Sequence, residues 1–211
     1  HASLLPKFRG AAPINWAIIT GEPETGLTVM SMVEQIDAGD ILGQRAAPIE
    51  HDETAGDLAD RLSGLGARMV TEVIREIPLD EVERRRQNEN QVTFAPRLKK
   101  SDGCIDWDRP AQEVHNRIRG TTPWPGAYTT LPGSGSRGSL RLVVGRSHLV
   151  ESAGEGDPGT IVAVTPGGID VSAAKGVVRL VELTPAGKRS MPAADFARGY
   201  RVTVGTRLTG A

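Results

Sequence analysis

Between Pro78 and Lys100 the chain loses every hydrophobic period. The run PLDEVERRRQNENQVTFAPRLKK is charged, polar and broken by prolines. That is the texture of a linker crossing a surface, not of an element in a core. It divides the chain into residues 1–77 and 101–211, which follow different patterns. At 211 residues the chain can bury one sizeable core or two modest ones.

The first part reads as α/β. AAPINWAIIT (11–20) is a short apolar stretch with Pro13 suited to the first turn of a helix and Gly21 to the position past its end. TGLTVMSMVEQ (25–35) carries apolar residues on both faces, which predicts a strand covered on both sides. IDAGD turns the chain, and ILGQRAAPI (41–49) reads as a second strand. The clearest helix follows. Thr54 and Asp57 form a capping box, and Leu58, Leu62, Leu65, Met69, Val73 and Ile77 recur at three- and four-residue spacing. Gly64 and Gly66 weaken it, each by about 1 kcal/mol relative to Ala if exposed.

Beyond the linker, DRPAQEVHNRIRG predicts a short helix with Ala111, Val114 and Ile118 on one stripe and Gly120 as its stop. The rest is strand-like: AYTTL (127–131), SLRLVVGRSHLV (139–150), GTIVAV (159–164), GGIDVSA (167–173) and VVRLVELTP (177–185). Short strands between Gly/Pro turns at this spacing predict a small barrel.

Hydrophobic residues are 38% and charged residues 24%, ordinary for a globular protein. No apolar run approaches the roughly 18–20 residues of a membrane span, and no basic-then-apolar signal segment opens the chain. The single Cys104 excludes an internal disulfide framework and a cysteine-based zinc site. Cytoplasm is the expected compartment. The charge is uneven: residues 1–100 carry 12 Lys+Arg against 16 Asp+Glu, and residues 101–211 carry 13 against 10. Eleven of those 13 cations are Arg, the side chain suited to forked contacts with phosphate. The excess points to nucleic acid no more strongly than to solvated surface charge.

Two polar residues stand out in the first part. His1 precedes Ser3-Leu4-Leu5-Pro6, and Asp37 lies at the end of the strand predicted as buried. Sites in open α/β sheets lie beyond the carboxyl ends of strands. A His and an Asp brought together there would relay a proton and stabilise a developing oxyanion. The alternative for Asp37, before Ala-Gly, is a plain turn residue.

The runs HASLLPKFRGAAPINWAI and ETGLTVMSMVEQIDAGDIL resemble the formyltransferases that use 10-formyltetrahydrofolate. FAPRLKKSDGCIDW, RGTTPWPGAY and TPAGKRSMPAADFARGYR are similar to the branch acting on methionyl initiator tRNA. The resemblance implies the C-terminal half of a Rossmann-like catalytic domain over residues 1–77. It further implies a linker over 78–100 and an open, oligonucleotide-binding type of barrel over 101–211. It implies that His1 and Asp37 are catalytic, and that a further catalytic Asn lies two positions before His1, off this chain. Ser3, Leu4, Leu5 and Pro6 would then wall the folate, and the amine of methionyl-tRNA would attack the formyl carbon. The fragment alone is expected to be inactive, and the protein to be a monomer.

No metal is implied, since His51, His115 and His148 show no ligand spacing with Cys104 or with one another. For tRNA phosphate the first candidates are Arg97, Lys99 and Lys100, followed by Arg117, Arg119, Lys188 and Arg189. Each has an ordinary solvated cation as its alternative. Arg84-Arg85-Arg86 sits in surroundings expected to be disordered. Trp107 and Trp124 suit core or interface anchors better than stacking platforms. Two other functions compete: formylation of an amino-sugar nucleotide and, for the fragment itself, tRNA binding without catalysis. A hydrolase of the same co-substrate would have no need of the basic second part.

Overall fold

The computed structural model describes residues 1–76, 83–133, 138–152 and 156–210. The chain forms two compact units, His1–Leu98 and Lys99–Ala211.

In the first unit the extended start of the chain lies along a strand. The His1 carbonyl accepts from the Thr28 amide at 2.9 Å, and the His1 nitrogen donates to the Thr28 carbonyl at 2.8 Å. After β1 (Arg9–Gly10) comes α1 (Pro13–Ile19), which begins on its proline and buries Ala17 and Ile18. Gly21 follows at φ +78°, a left-handed position that glycine adopts without penalty. β2 (Glu24–Met30) and β3 (Ile41–Pro48) pair antiparallel, from Glu24↔Pro48 to Met30↔Ile41.

The predicted strand over 25–35 overruns the real one. β2 stops at Met30, where the register shifts, and Met32 and Ile36 are 89% and 74% exposed. Their apolarity mimics a buried strand, yet no ladder partner lies beside them among the described residues.

α2 (Ala55–Glu76) carries the expected cap. Thr54 Oγ1 accepts from the Asp57 amide at 3.2 Å, and Asp57 Oδ2 accepts from the Thr54 amide at 3.1 Å. Leu58, Leu62, Met69 and Val73 are buried, and Leu58 and Leu62 pack with Ile18, Ala47 and Ala55. Ile77, assigned to the same stripe, lies outside the described residues, as does the start of the linker (78–82).

The rest of the linker is not a free strap. β4 (Phe94–Ala95) pairs parallel with β1, Arg9↔Phe94 and Gly10↔Ala95. Arg85, expected in disordered surroundings, exchanges two backbone hydrogen bonds with Ile41 at 2.8 and 3.0 Å. A polar sequence reads as linker because these anchors are backbone groups, which carry no side-chain signature.

The second unit contains α3 (Ala111–Gly120), β5 (Ala127–Leu131), β6 (Leu140–Val150), β7 (Ile161–Thr165), β8 (Gly168–Ser172), β9 (Val177–Pro185), β10 (Met191–Pro192) and α4 (Ala193–Tyr200). The strands form one sheet in the order β5-β6-β9-β8-β7, with β10 added to β9. Ladders between β5 and β6, β6 and β9, β9 and β8, and β8 and β7 are antiparallel. Val114 and Ile118 from α3 and Phe196 from α4 meet Leu142, Val144, Ile169, Leu180 and Leu183 in the core. β10 and α4 fall in a stretch not expected to be regular. Its signal was present: Ala193, Phe196 and Ala197 are buried at three- and four-residue spacing, and Phe196 stacks on Tyr200 with ring centroids 4.4 Å apart.

Trp107 is in the core as expected, with Nε1 donating to Thr129 Oγ1 at 3.1 Å. Trp124 is 51% exposed, which excludes the core and leaves the interface role of the two expected. No helix among the described residues is long and apolar enough to cross a membrane.

Candidate functional site

His1 is the centre of the candidate site, and its two ring nitrogens face two oxygens. Nδ1 lies 3.4 Å from Asp37 Oδ2, and Nε2 lies 2.9 Å from the Phe8 carbonyl oxygen. The His1 side chain is 7% exposed and that of Asp37 16%. Neutral imidazole carries hydrogen on one nitrogen only, so both contacts are met by donors only in the charged ring.

The backbone at both partners is unusual. Phe8 sits at φ +60° and Asp37 at φ +54°, a region costing non-glycine residues of order 1–3 kcal/mol. Arg201 is the one other non-glycine residue with positive φ among those described. So two of three such residues flank one histidine ring.

Each strained position is held. The Phe8 amide donates to Thr93 Oγ1 at 2.8 Å, fixing the turn that aims the Phe8 carbonyl at His1. The Gly10 amide donates to Asp37 Oδ2 at 2.8 Å. Gly10 itself sits at φ +126°, and a Cβ there would lie 2.6 Å from the Ala95 carbonyl oxygen. Glycine alone lets β1 run this close to β4. The loop carrying Asp37 closes as tightly, since a Cβ on Gly39 would lie 1.8 Å from the Ser31 carbonyl oxygen.

Thr28 knits the SLLP run to β2. Its hydroxyl donates to the Ser3 carbonyl at 2.7 Å and accepts from the Leu5 amide at 3.2 Å. Gln44 Nε2 donates to the Leu5 carbonyl at 2.9 Å and to Thr28 Oγ1 at 3.0 Å. Leu4, Leu5 and Pro6, with Lys7, Phe8, Thr25 and others, line a cavity of about 390 Å³. Ser3 is not among its lining residues. Its side chain is buried and donates to the Lys7 carbonyl, so it shapes the loop rather than the wall. Thr25 Oγ1 is buried with no hydrogen-bond partner, the one such side-chain atom among the described residues.

The nominated cations divide by exposure. Arg97, Lys99, Lys100, Lys188 and Arg189 are exposed, and Arg117 is half-buried. Arg119 differs from the expectation of a phosphate ligand. It is 7% exposed, and its Nε and Nη2 donate to Asn116 Oδ1 at 3.0 and 2.9 Å. Its place on the apolar side of α3 overrides its charge, and the hydrogen bonds make burial tolerable.

Sequence reasoning missed Arg9 and Gln87, and the hold of the Gly10 amide on Asp37. Arg9 is 3% exposed and Gln87 bonds to it across 78 residues of chain. No local pattern reports such a pair.

The histidine–carboxylate pair just before SLLP, beside a glycine-tightened turn, is the candidate site of this chain. Two family models match, "Formyl transferase" over residues 1–74 and "Formyl transferase, C-terminal domain" over residues 97–201. The chain belongs to the formyl transferase family, with mixed α and β content and the sheet described above. Among its relatives is a methionyl-tRNA formyltransferase of Geobacter sulfurreducens, 46% identical over 99% of this chain and 63% of the relative. A methionyl-tRNA formyltransferase of Bacillus subtilis is 40% identical over 99% of this chain and 64% of its own length. The chain therefore spans less than two thirds of the relatives it matches.

Two solved structures share the fold. HypX from Aquifex aeolicus, in complex with tetrahydrofolic acid, superposes with a TM-score of 0.73 at 19% identity, over 97% of this chain and 35% of that one. WlaRD, a sugar 3N-formyl transferase in the presence of dTDP and 5-N-formyl-THF, gives 0.69 at 21% identity, over 90% of this chain and 65% of that one.

Proposed function

We propose that the protein transfers the formyl group of 10-formyltetrahydrofolate to the α-amine of methionyl initiator tRNA, for translation initiation in the cytoplasm. The observation that carries this reading is the 46% identity to a methionyl-tRNA formyltransferase, running through both units of the chain. The sugar-modifying neighbour resembles the fold at 21% identity, which favours tRNA over an amino-sugar nucleotide as acceptor.

The neutral amine attacks the formyl carbon, and a tetrahedral centre with an oxyanion forms. Collapse breaks the bond from that carbon to N10 of the folate, and the proton lost by the attacking nitrogen ends on the leaving N10. His1 supplies a hydrogen-bond donor to the oxyanion. Its Nε2–H, now on the Phe8 carbonyl, exchanges a neutral acceptor for a charged one, and such bonds are about twice as strong. Asp37 holds the ring through Nδ1 and assists removal of the amine proton. Leu4, Leu5 and Pro6 provide an apolar wall for the folate. No step calls for a metal.

For the architecture we infer that residues 1–77 form the C-terminal half of a Rossmann-like domain, residues 78–100 the linker, and 101–211 an oligonucleotide-binding type of barrel. Support for the barrel comes from the end of the chain. Thr209 bridges Thr130 on β5, and Arg207 bridges Thr160 just before β7, which are opposite ends of the sheet order. Arg97, Lys99, Lys100, Arg117, Lys188 and Arg189 would meet tRNA phosphates, with Arg119 holding α3.

The test is formyl transfer by the full-length protein, with methionyl initiator tRNA and an amino-sugar nucleotide offered separately. Turnover on tRNA alone is expected. Turnover on the sugar nucleotide without tRNA would overturn the reading. The 211-residue chain by itself is expected to retain tRNA binding without turnover.

A further inference from the structure

The geometry points to Gln87 as the positioning residue of Asp37, which makes the segment after residue 83 part of the site. This rests on the catalytic reading of Asp37 above.

Asp37 occupies a left-handed backbone position in a loop whose tip lies in water; Gln35 and Ile36 beside it are exposed. A loop of that kind keeps a strained residue only where its surroundings over-determine it. Gln87 does so. Its Nε2 donates to the Asp37 carbonyl at 2.7 Å and to the Gly39 carbonyl at 2.8 Å. One amide nitrogen, with two hydrogens, thus clamps the carbonyls on either side of Ala38.

The amide cannot turn over. Gln87 Oε1 accepts from Arg9 Nε at 3.1 Å and from Nη2 at 2.8 Å. Guanidinium is donor-only, so the oxygen must face Arg9 and the NH2 must face the loop. Arg9 is in turn held by Glu89, with Nη1 to Oε2 at 3.2 Å and Nη2 to Oε1 at 2.8 Å. The chain of contacts runs Glu89, Arg9, Gln87, Asp37, and ends at His1. Arg9 also immediately precedes Gly10, whose amide holds the Asp37 carboxylate from the other side.

Gln87→Glu separates positioning from mere support of the fold. It keeps size, shape and an acceptor for Arg9, but sets a carboxylate oxygen against two carbonyls. The Gly10 amide is the reporter, because its acceptor is Asp37 Oδ2. In the 211-residue chain, Gln87→Glu at pH 7 should shift the Gly10 amide resonance and lower its hydrogen-exchange protection at least tenfold. The buried Ile18 and Leu58 amides should keep theirs. In the full-length protein kcat should fall about 10²-fold, as for a small misplacement of a reacting group. KM for tRNA should stay within twofold.

An unchanged Gly10 amide, or a kcat within threefold of wild type, overturns the proposal. Should Gln87→Glu not fold, Gln87→Asn is read in the same way, since it is too short to span Arg9 and the loop. Asp37→Asn is the control for the underlying reading. If it keeps full activity, the catalytic assignment fails, while the Gly10 amide still decides whether Gln87 places the loop.

Discussion

His1 Nδ1 stands 3.4 Å from Asp37 Oδ2, and the same carboxylate oxygen takes the Gly10 amide at 2.8 Å. A carboxylate fixed by a backbone donor does not follow the imidazole when the ring shifts to a new acceptor. In the proposed reaction Asp37 is thereby the held carboxylate, and His1 the donor that moves.

Neither residue is dispensable in the proposed reaction. In the full-length protein, Asp37→Asn preserves size and the Gly10 contact but loses charge, and should lower kcat by about 10²–10⁴-fold, the span of general acid–base assistance. His1→Ala should cost at least as much. Both should bind tRNA within twofold of wild type in a gel shift. Rates within threefold of wild type for both would remove them from the mechanism.

Gly10 and Gly64 make a pair with opposite signs. Gly10→Ala brings a Cβ to 2.6 Å from the Ala95 carbonyl at φ +126°. Strain of that kind costs about 1–3 kcal/mol and should also loosen Asp37. Gly64 lies exposed within α2, and a methyl group added there would meet nothing within 4 Å. Gly64→Ala should therefore stabilise by about 0.4–1 kcal/mol. Urea midpoints of the two variants moving in the same direction would contradict this account.

The contrast also marks what the sequence could carry. α2 was legible from Thr54, Asp57 and its leucine period, because cap and stripe are local. The motifs around His1 and Asp37 imply that the two come together, as they do, although what holds them leaves no trace in those motifs. Gly10 acts through its backbone amide and Arg9 and Gln87 through their side chains, over separations of 27 to 80 residues, where no periodicity reaches. Met32 and Ile36 misled for the converse reason, since apolar residues in an exposed loop imitate a strand. Trp124 likewise has core chemistry in an exposed place, and the sequence around it, rich in proline, carries no burial period.

Phosphate contact by the exposed cations should appear in the salt dependence of tRNA binding. Each cation that displaces a counterion contributes roughly 0.7–0.9 to the slope of log K against log salt. Lys99→Gln with Lys100→Gln should reduce that slope by about 1.4–1.8, with kcat at saturating tRNA unchanged. Arg119→Gln should instead lower thermal stability, since its guanidinium is buried on Asn116. A slope equal to wild type in the double variant would return Lys99 and Lys100 to ordinary solvated surface.

The Arg9–Glu89 contact gives a pH signature. The hydrogen bond from Arg9 holds the Glu89 carboxyl below its ordinary value, against desolvation and with help from the Arg9 charge. A carboxyl lowered in the folded state adds stability above its unfolded value, about 4.3, and loses it as pH falls through the folded value. Wild type should therefore be more stable than Glu89→Gln at pH 7, with the gap closing as the solution is taken down through pH 4. The measurement is a series of urea midpoints for both proteins across that range. A gap that does not change with pH would mean that Glu89 acts through packing and not through its charge. A closing gap should be accompanied by loss of order at Gly10, because Arg9 would then rest on Gln87 alone among these partners.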